Sequence, residues 1–327
     1  MSTQRFATRL NSFASRAHEF WPDLQGKPSP MQMAERAATV DGLTDLDLNF
    51  PDHVQDDISA LKRRLGDLGL GVNGLAMRYY TNPNFKLGAF THPDPTTRRE
   101  AIDLTKRGID AARATGSNLM TIWLGQDGFD YSFQADYNKM WADEVDAIRE
   151  VADHDPECWV SIEYKPNEPR AFSLLPDMAT TLLAIKEAGS ANLGVTLDFA
   201  HVLYADEVPA FAAAMINRHS RLLGVHLNDG YGKRDDGLMV GSVNTKATLE
   251  LLWQIKRDGY VGAIYFDTFP DASGLDPVRE CEANIATVEG LLKAVDRLQS
   301  DNRMNEAVAN QDAVTSQQIV NAALVGT

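Results

Sequence analysis

Short apolar and β-leaning runs alternate along the chain with longer stretches whose apolar positions recur every three or four residues. The first pattern suits strands buried on both faces, and the second suits helices laid against a sheet. Strand runs fall near Phe6–Phe13, Leu43–Asn49, Gly69–Leu75, Leu119–Leu124, Cys158–Ile162, Gly194–Asp198, Leu222–Leu227 and Ala263–Asp267. Between them, helices are expected over Met31–Val40, Val54–Leu68, Thr96–Thr115, Tyr137–His154, Met178–Ala188, Pro209–Asn217, Lys246–Asp258 and Asp276–Leu298. Ile58, Leu61, Leu65 and Leu68 carry the helical spacing in the second, and Pro93-Asp94-Pro95-Thr96 is a start signal for the third.

Eight such repeats have the size and rhythm of an α/β fold of the (β/α)8 TIM barrel type, with right-handed crossovers, spanning residues 1–299. A doubly wound open sheet shares the alternation, but no Gly-rich phosphate loop follows an early strand. Residues 300–327 are polar and then modestly apolar at Ile319, Val320, Leu324 and Val325. They read as a helical tail packed on the barrel or on a neighbouring copy, and a homo-oligomer is expected.

Active sites of such barrels sit at the C-terminal ends of the strands. There the segment Ser161-Ile162-Glu163-Tyr164-Lys165-Pro166-Asn167-Glu168-Pro169-Arg170 turns abruptly from apolar to charged, with two prolines that cannot continue a central strand. Glu163, Asp198, His226 and Asp267 end the fifth to eighth strand runs, each about one βα unit from the next. Corresponding ends of adjacent strands lie about 5 Å apart. Three carboxylates gathered at that spacing repel one another unless a cation sits among them. Each has a simpler reading alone, as a helix cap or a core histidine, but four in phase point to a divalent metal. Mixed oxygen and nitrogen ligands suit Mn²⁺, Mg²⁺ or Co²⁺.

His201, three residues past Asp198, and Asp235, just past the seventh strand, suggest a second ion bridged by Asp198. Asp235 and Asp236 also fit a solvated turn beside Lys233 and Arg234. Lys165, two residues beyond Glu163, points to the same face and is placed to polarise a carbonyl oxygen. Trp123 is either a wall for the substrate or a core residue. His92 either reaches the site or caps the helix that follows it.

Bulk properties narrow the partners. Lys and Arg number 31 against 46 Asp and Glu, a net charge of −15, which repels phosphate backbones and argues against nucleic acid. It equally disfavours a metal-dependent endonuclease. No apolar run approaches the roughly 20 residues that span a bilayer. With two cysteines, neither paired by spacing, and no secretion signal at the N-terminus, a cytoplasmic protein is expected.

At Ile162–Arg170 the chain resembles the metal-and-lysine segment of the xylose isomerases. Val225-His226-Leu227-Asn228-Asp229, with Asp235-Asp236-Gly237-Leu238-Met239-Val240-Gly241-Ser242, resembles the L-rhamnose isomerase branch of the same xylose-isomerase-like barrels. The likeness covers roughly residues 40–270. It implies a first ion on Glu163, Asp198, His226 and Asp267, and a second on Asp198, His201 and Asp235. It implies Lys165, Glu163 and Asp198 as catalytic groups, with Trp123, His92, Asn228 and His201 toward the substrate. Gly237 departs from the family, which usually carries an aspartate before the Leu-x-x-Gly run.

The activity implied is metal-dependent aldose–ketose isomerisation of a small unphosphorylated sugar by 1,2-hydrogen transfer, with one or two ions per chain. No clustered basic residues mark a phosphate site. A ketose 3-epimerase is the alternative, which would want a glutamate where Asp267 stands. A non-catalytic sugar-binding barrel is a further one.

Overall fold

A computed structural model describes residues 4–54 and 57–325. Eight parallel strands close into a barrel. They are β1 (Phe6–Arg9), β2 (Asp45–Phe50), β3 (Gly71–Met77), β4 (Leu119–Trp123), β5 (Trp159–Glu163), β6 (Leu193–Asp198), β7 (Leu222–Leu227) and β8 (Ile264–Phe266). Each pairs with its neighbour in sequence, and β1 closes the ring on β8 through Phe6↔Ile264 and Thr8↔Phe266.

The alternation of side chains divides each strand between two environments. In β2, Leu46 and Leu48 are fully buried in the main apolar core. The intervening Asp47 reaches the cavity at the barrel mouth. In β1 and β8, Ala7 and Tyr265 form a separate small apolar cluster with Ala263. The helices follow the expected order, from Pro30–Ala37 to Pro277–Ser300. Most begin on an aspartate whose carboxylate accepts a first-turn N–H, as Asp94, Asp136, Asp177 and Asp276 do. The expected start of the helix ending near Leu68 includes Gln55 and Asp56, which lie outside the described residues; Ile58–Asp67 is helical.

Two differences from the sequence reading have local causes. The first strand is shorter than expected, because the chain leaves β1 after Arg9 and makes a 3₁₀ turn over Leu10–Ala14. Leu10 and Phe13 are both fully buried, and a spacing of three suits that turn rather than a strand. A small antiparallel pair, Gly128–Phe129 with Phe172–Ser173, also joins the loops after β4 and β5. Two residues per strand are too few to leave a periodic signal.

Beyond the barrel, helices Asn302–Ala309 and Ala313–Val325 fold back on it. Met304, Ala307 and Ala323 are buried, and Lys246 Nζ donates to Gln317 and Asn321, each at 2.9 Å. Among the described residues, no helix is long and apolar enough to cross a membrane.

Of the buried acids outside the mouth, one stands without a partner among the described residues. Glu144, on helix Tyr137–Ala152, is fully buried and neither carboxylate oxygen has a hydrogen-bond partner. Burial, with Asp127 nearby, holds its carboxyl well above the usual range. The folded state therefore keeps a proton that the unfolded chain gives up, and stability falls as pH rises past the unfolded carboxyl value. Glu144→Gln should remove that dependence. Its urea-unfolding advantage over the wild type grows by about 1.4 kcal/mol per pH unit above that value. An offset that stays constant between pH 5 and pH 8 would contradict this.

Candidate metal centre

The four expected ligands stand at or just past the C-terminal ends of adjacent strands, staggered by up to two residues in register. Asp198 pairs with His226 across β6 and β7, Tyr265 pairs with His226 across β7 and β8, and Trp123 pairs with Glu163 across β4 and β5. Glu163, Asp198, His226 and Asp267 each offer one ligand atom, and those atoms all lie within 4.8 Å of one another. Opposite ligands of an octahedral Mg²⁺ sit about 4.2 Å apart, so a few tenths of an ångström would close this group on an ion.

The donor set fits a cation on further grounds. His226 Nδ1 is buried without a hydrogen-bond partner, although Glu163 Oε2 lies 3.6 Å away and Asp198 Oδ2 4.0 Å away. Both distances are too long for a hydrogen bond. Burial opposes charge on Glu163, yet His226 and His201 beside it hold its carboxyl down at about 2. Asp198 moves the other way, pushed up to about 7 by burial and by Asp235, Asp267 and Glu163. Burial also raises Asp267, against the pull of Arg9. His226 is raised to about 9, since Glu163, Asp267 and Asp198 outweigh its burial. This is a crowded negative pocket that favours either a proton or a metal on its imidazole.

Asp198 has two roles at once. Its Oδ1 accepts the His201 backbone N–H at 3.0 Å, capping the short helix Phe199–Tyr204. Asn228 Nδ2 donates to both Asp198 oxygens, at 3.2 and 3.1 Å, and to the Asp267 carbonyl at 3.1 Å. Asn228 Oδ1 in turn accepts the Ala200 N–H at 2.8 Å. Asn228 is fully buried behind Asp198 and does not line the cavity, contrary to the expectation that it faces substrate.

The expected second ion set is not among the ligand groups of the described residues, although His201 Nδ1 lies 4.0 Å from Asp198 Oδ1. His201 Nδ1 lies 3.0 Å from the Tyr164 carbonyl and Nε2 lies 3.1 Å from Asp235 Oδ2. Both ring nitrogens face acceptors, an arrangement that a doubly protonated imidazole satisfies. Burial notwithstanding, Asp198 and Asp235 hold this imidazolium up at about 10. Asp235 Oδ2 also receives Lys165 Nζ at 3.1 Å. Gly237 helps to explain the difference. It has φ +56°, and a Cβ there would stand 2.2 Å from the Phe269 ring. The Phe269 N–H also donates to the Gly237 carbonyl at 2.8 Å. The ring thus occupies the space into which an aspartate at this position would extend.

Lys165 points into the mouth as expected, held by Asp235 and by Glu168 Oε2 at 2.9 Å, with its ammonium 5.2 Å from the Trp123 ring centroid. Burial lowers its pKa, but the two carboxylates outweigh it and the net shift is upward. Trp123 lines the same cavity, which has a volume of about 200 Å³. His92 does not reach it. Its Nδ1 accepts the Asp94 N–H at 3.1 Å, in the turn before helix Pro95–Thr115.

Arg9, Asp47, Arg78, Tyr265 and Phe269 also line the cavity and were not singled out in the sequence. Arg9 Nε sits 3.2 Å from Asp267 Oδ1, and its guanidinium lies 4.6 Å from the centroid of the Phe269 ring. Asp47 accepts from Asn73 at 2.8 Å, and burial pushes it up to about 7. The alternation in Asp45-Leu46-Asp47-Leu48-Asn49 was a readable signal for Asp47. Arg9 and Arg78 carried none.

The fold and this mouth define a (β/α)8 barrel with a carboxylate–histidine cluster suited to a divalent ion. A family model described as "Xylose isomerase-like TIM barrel" matches residues 36–293, and the chain belongs to that family. It is 29% identical over 246 residues to a xylose isomerase of Thermus thermophilus, covering 72% of this chain and 64% of that protein. It is 28% identical over 205 residues to a probable sugar isomerase of Rhizobium meliloti, covering 60% of this chain and 46% of that one. The matched regions span less than two thirds of the length of these relatives. Among solved structures, a D-tagatose 3-epimerase-like protein superposes with TM-score 0.67 over 89% of this chain and 98% of its own. An L-ribulose 3-epimerase does so with TM-score 0.67 over 92% and 99%. At 17% identity each, these two show the shared fold.

If Asn228 orients Asp198 as an ion ligand, Asn228→Ala should weaken Mn²⁺ binding about 10–100-fold in a calorimetric titration, as loss of such supporting bonds does elsewhere. His226→Ala should weaken it further. Unchanged affinity in both variants would mean that the cluster does not hold the ion.

Proposed function

We propose that the protein is a divalent-metal-dependent aldose–ketose isomerase acting on a small unphosphorylated sugar. The observation that supports this reading best is the shared cavity, where a lysine ammonium stands beside a four-ligand cluster in a space sized for one small sugar. A divalent ion held by Glu163, Asp198, His226 and Asp267 would supply Lewis acidity to substrate oxygens.

Isomerisation moves a hydrogen from C2 to C1 of the sugar and a proton from the C2 hydroxyl to the carbonyl oxygen. Negative charge develops on those oxygens during the transfer, and preorganised donors stabilise it. Lys165 is such a donor, its Nζ fixed by Asp235 and Glu168 rather than free to wander. The His201 imidazolium keeps Asp235 in place, and Asp235 keeps Lys165 aimed. Trp123 and Phe269 supply apolar walls that limit water in the cavity.

Ketose 3-epimerisation is the second reading, and one observation favours it: the described ligands gather as a single group rather than two. Against it, proton shuttling at C3 needs two free carboxylates facing the carbon. Asp267 is short for that task and already paired with Arg9.

EDTA should abolish interconversion of an aldose–ketose pair, and Mn²⁺ or Co²⁺ should restore it. Lys165→Met should lower kcat about 100-fold or more, the usual effect of removing one such donor. Full activity in Lys165→Met or Glu163→Gln would overturn the isomerase reading, and inversion at C3 without aldose formation would select the epimerase.

A further inference from the structure

The cavity holds a cation that the mechanism above does not use. Arg78 follows β3 directly and lines the cavity. Among the described residues, no carboxylate lies within 4 Å of its guanidinium, and none of its side-chain N–H groups donates to a protein acceptor. Its Nε is fully enclosed and unpartnered. The Tyr80 ring lies nearby, its centroid 5.7 Å away. The other two cations in the cavity are committed, Arg9 to Asp267 and Lys165 to Asp235 and Glu168.

An unpaired guanidinium beside five carboxylates needs a reason. Asp47, Glu163, Asp235 and Asp267 line the cavity, and Asp198 lies just behind. If the charge served only to neutralise these acids, it would be ion-paired with one of them, as Arg9 and Lys165 are. Its planar fork of donors matches a carboxylate in two parallel hydrogen bonds. Such a fork left open in an enclosed site is complementary to an anion that arrives with the ligand.

We propose that the substrate is a sugar acid, with Arg78 receiving its terminal carboxylate while the sugar hydroxyls face the metal cluster. One free guanidinium balances one negative charge. A phosphate ester carries close to two at neutral pH and would find no second uncommitted cation. A cavity of about 200 Å³ also suits a single small acid. This inference deepens the isomerase reading and takes its reaction from it, but the recognition of charge is a separate property.

The test uses the full chain loaded with Mn²⁺ and sets of three probes matched in configuration: a hexuronate, the neutral hexose and its 6-phosphate. Turnover and ligand-induced thermal stabilisation are measured separately. In at least one configuration the hexuronate should exceed the hexose in kcat/KM, and in apparent affinity, by about tenfold or more, the effect of one charge-assisted pair. Arg78→Gln should bring that ratio close to one, and Arg78→Lys, which keeps charge but loses the fork, should give an intermediate ratio. A wild type that treats acid and hexose alike, or that favours the 6-phosphate, overturns the proposal. So does a preference that survives Arg78→Gln, or the absence of stabilisation by every hexuronate. Turnover without charge preference would sink this inference and leave the isomerase reading standing. Arg78-dependent hexuronate binding without turnover would do the reverse.

Discussion

The constraint that shapes the barrel mouth is electrostatic: several carboxylates share a small, largely dry space, and each must be compensated. The chain does this with local pairings. Asp267 takes Arg9, Asp235 takes Lys165 and His201, and Asp198 takes a helix N-terminus and the Asn228 amide. Glu163 leans on the two imidazoles. What these pairings leave over is the His226 Nδ1 lone-pair position, facing carboxylate oxygens that are too distant to bond it. A cation completes that arrangement more naturally than any further side chain could.

Structural and chemical roles coincide here instead of competing. Asp198 is a helix cap and also a member of the ligand group. The same backbone N–H that stabilises the helix start fixes the carboxylate's rotamer, and Asn228 locks the other side. Such support matters because a ligand displaced by even an ångström loses most of its value at a metal or a substrate. Phe269 shows the opposite relation. By filling the space next to Gly237 it adds an apolar wall, and it leaves no room for an acidic side chain there. Beside it, His201, Asp235 and Lys165 form a hydrogen-bonded chain.

Much of this was legible before any coordinates. Strand ends at Glu163, Asp198, His226 and Asp267 stood out because a polar group closing an apolar run breaks the period visibly. His92 was ambiguous because Pro93-Asp94-Pro95 marks a helix start as clearly as a loop near a site; it braces that turn by accepting the Asp94 N–H, while Asp94 itself caps the helix. Asn228, two residues past His226, would share its face if the strand ran on, but β7 ends at Leu227 and the Asn228 amide turns to Asp198.

From residue order alone followed the alternation of strands and helices, the eightfold count and the three acids and one imidazole in phase. These depend on periodicities of two and 3.6 residues and on interactions a few positions apart. Closure of the ring decided the rest. It set β1 beside β8, so that Arg9 meets Asp267, and it carried Arg78 from the end of β3 into the same cavity. It also set both His201 nitrogens against acceptors, the Tyr164 carbonyl and Asp235. Such pairings join residues from distant strands. They are governed by the register and curvature of the whole sheet, and no local pattern in the chain encodes them.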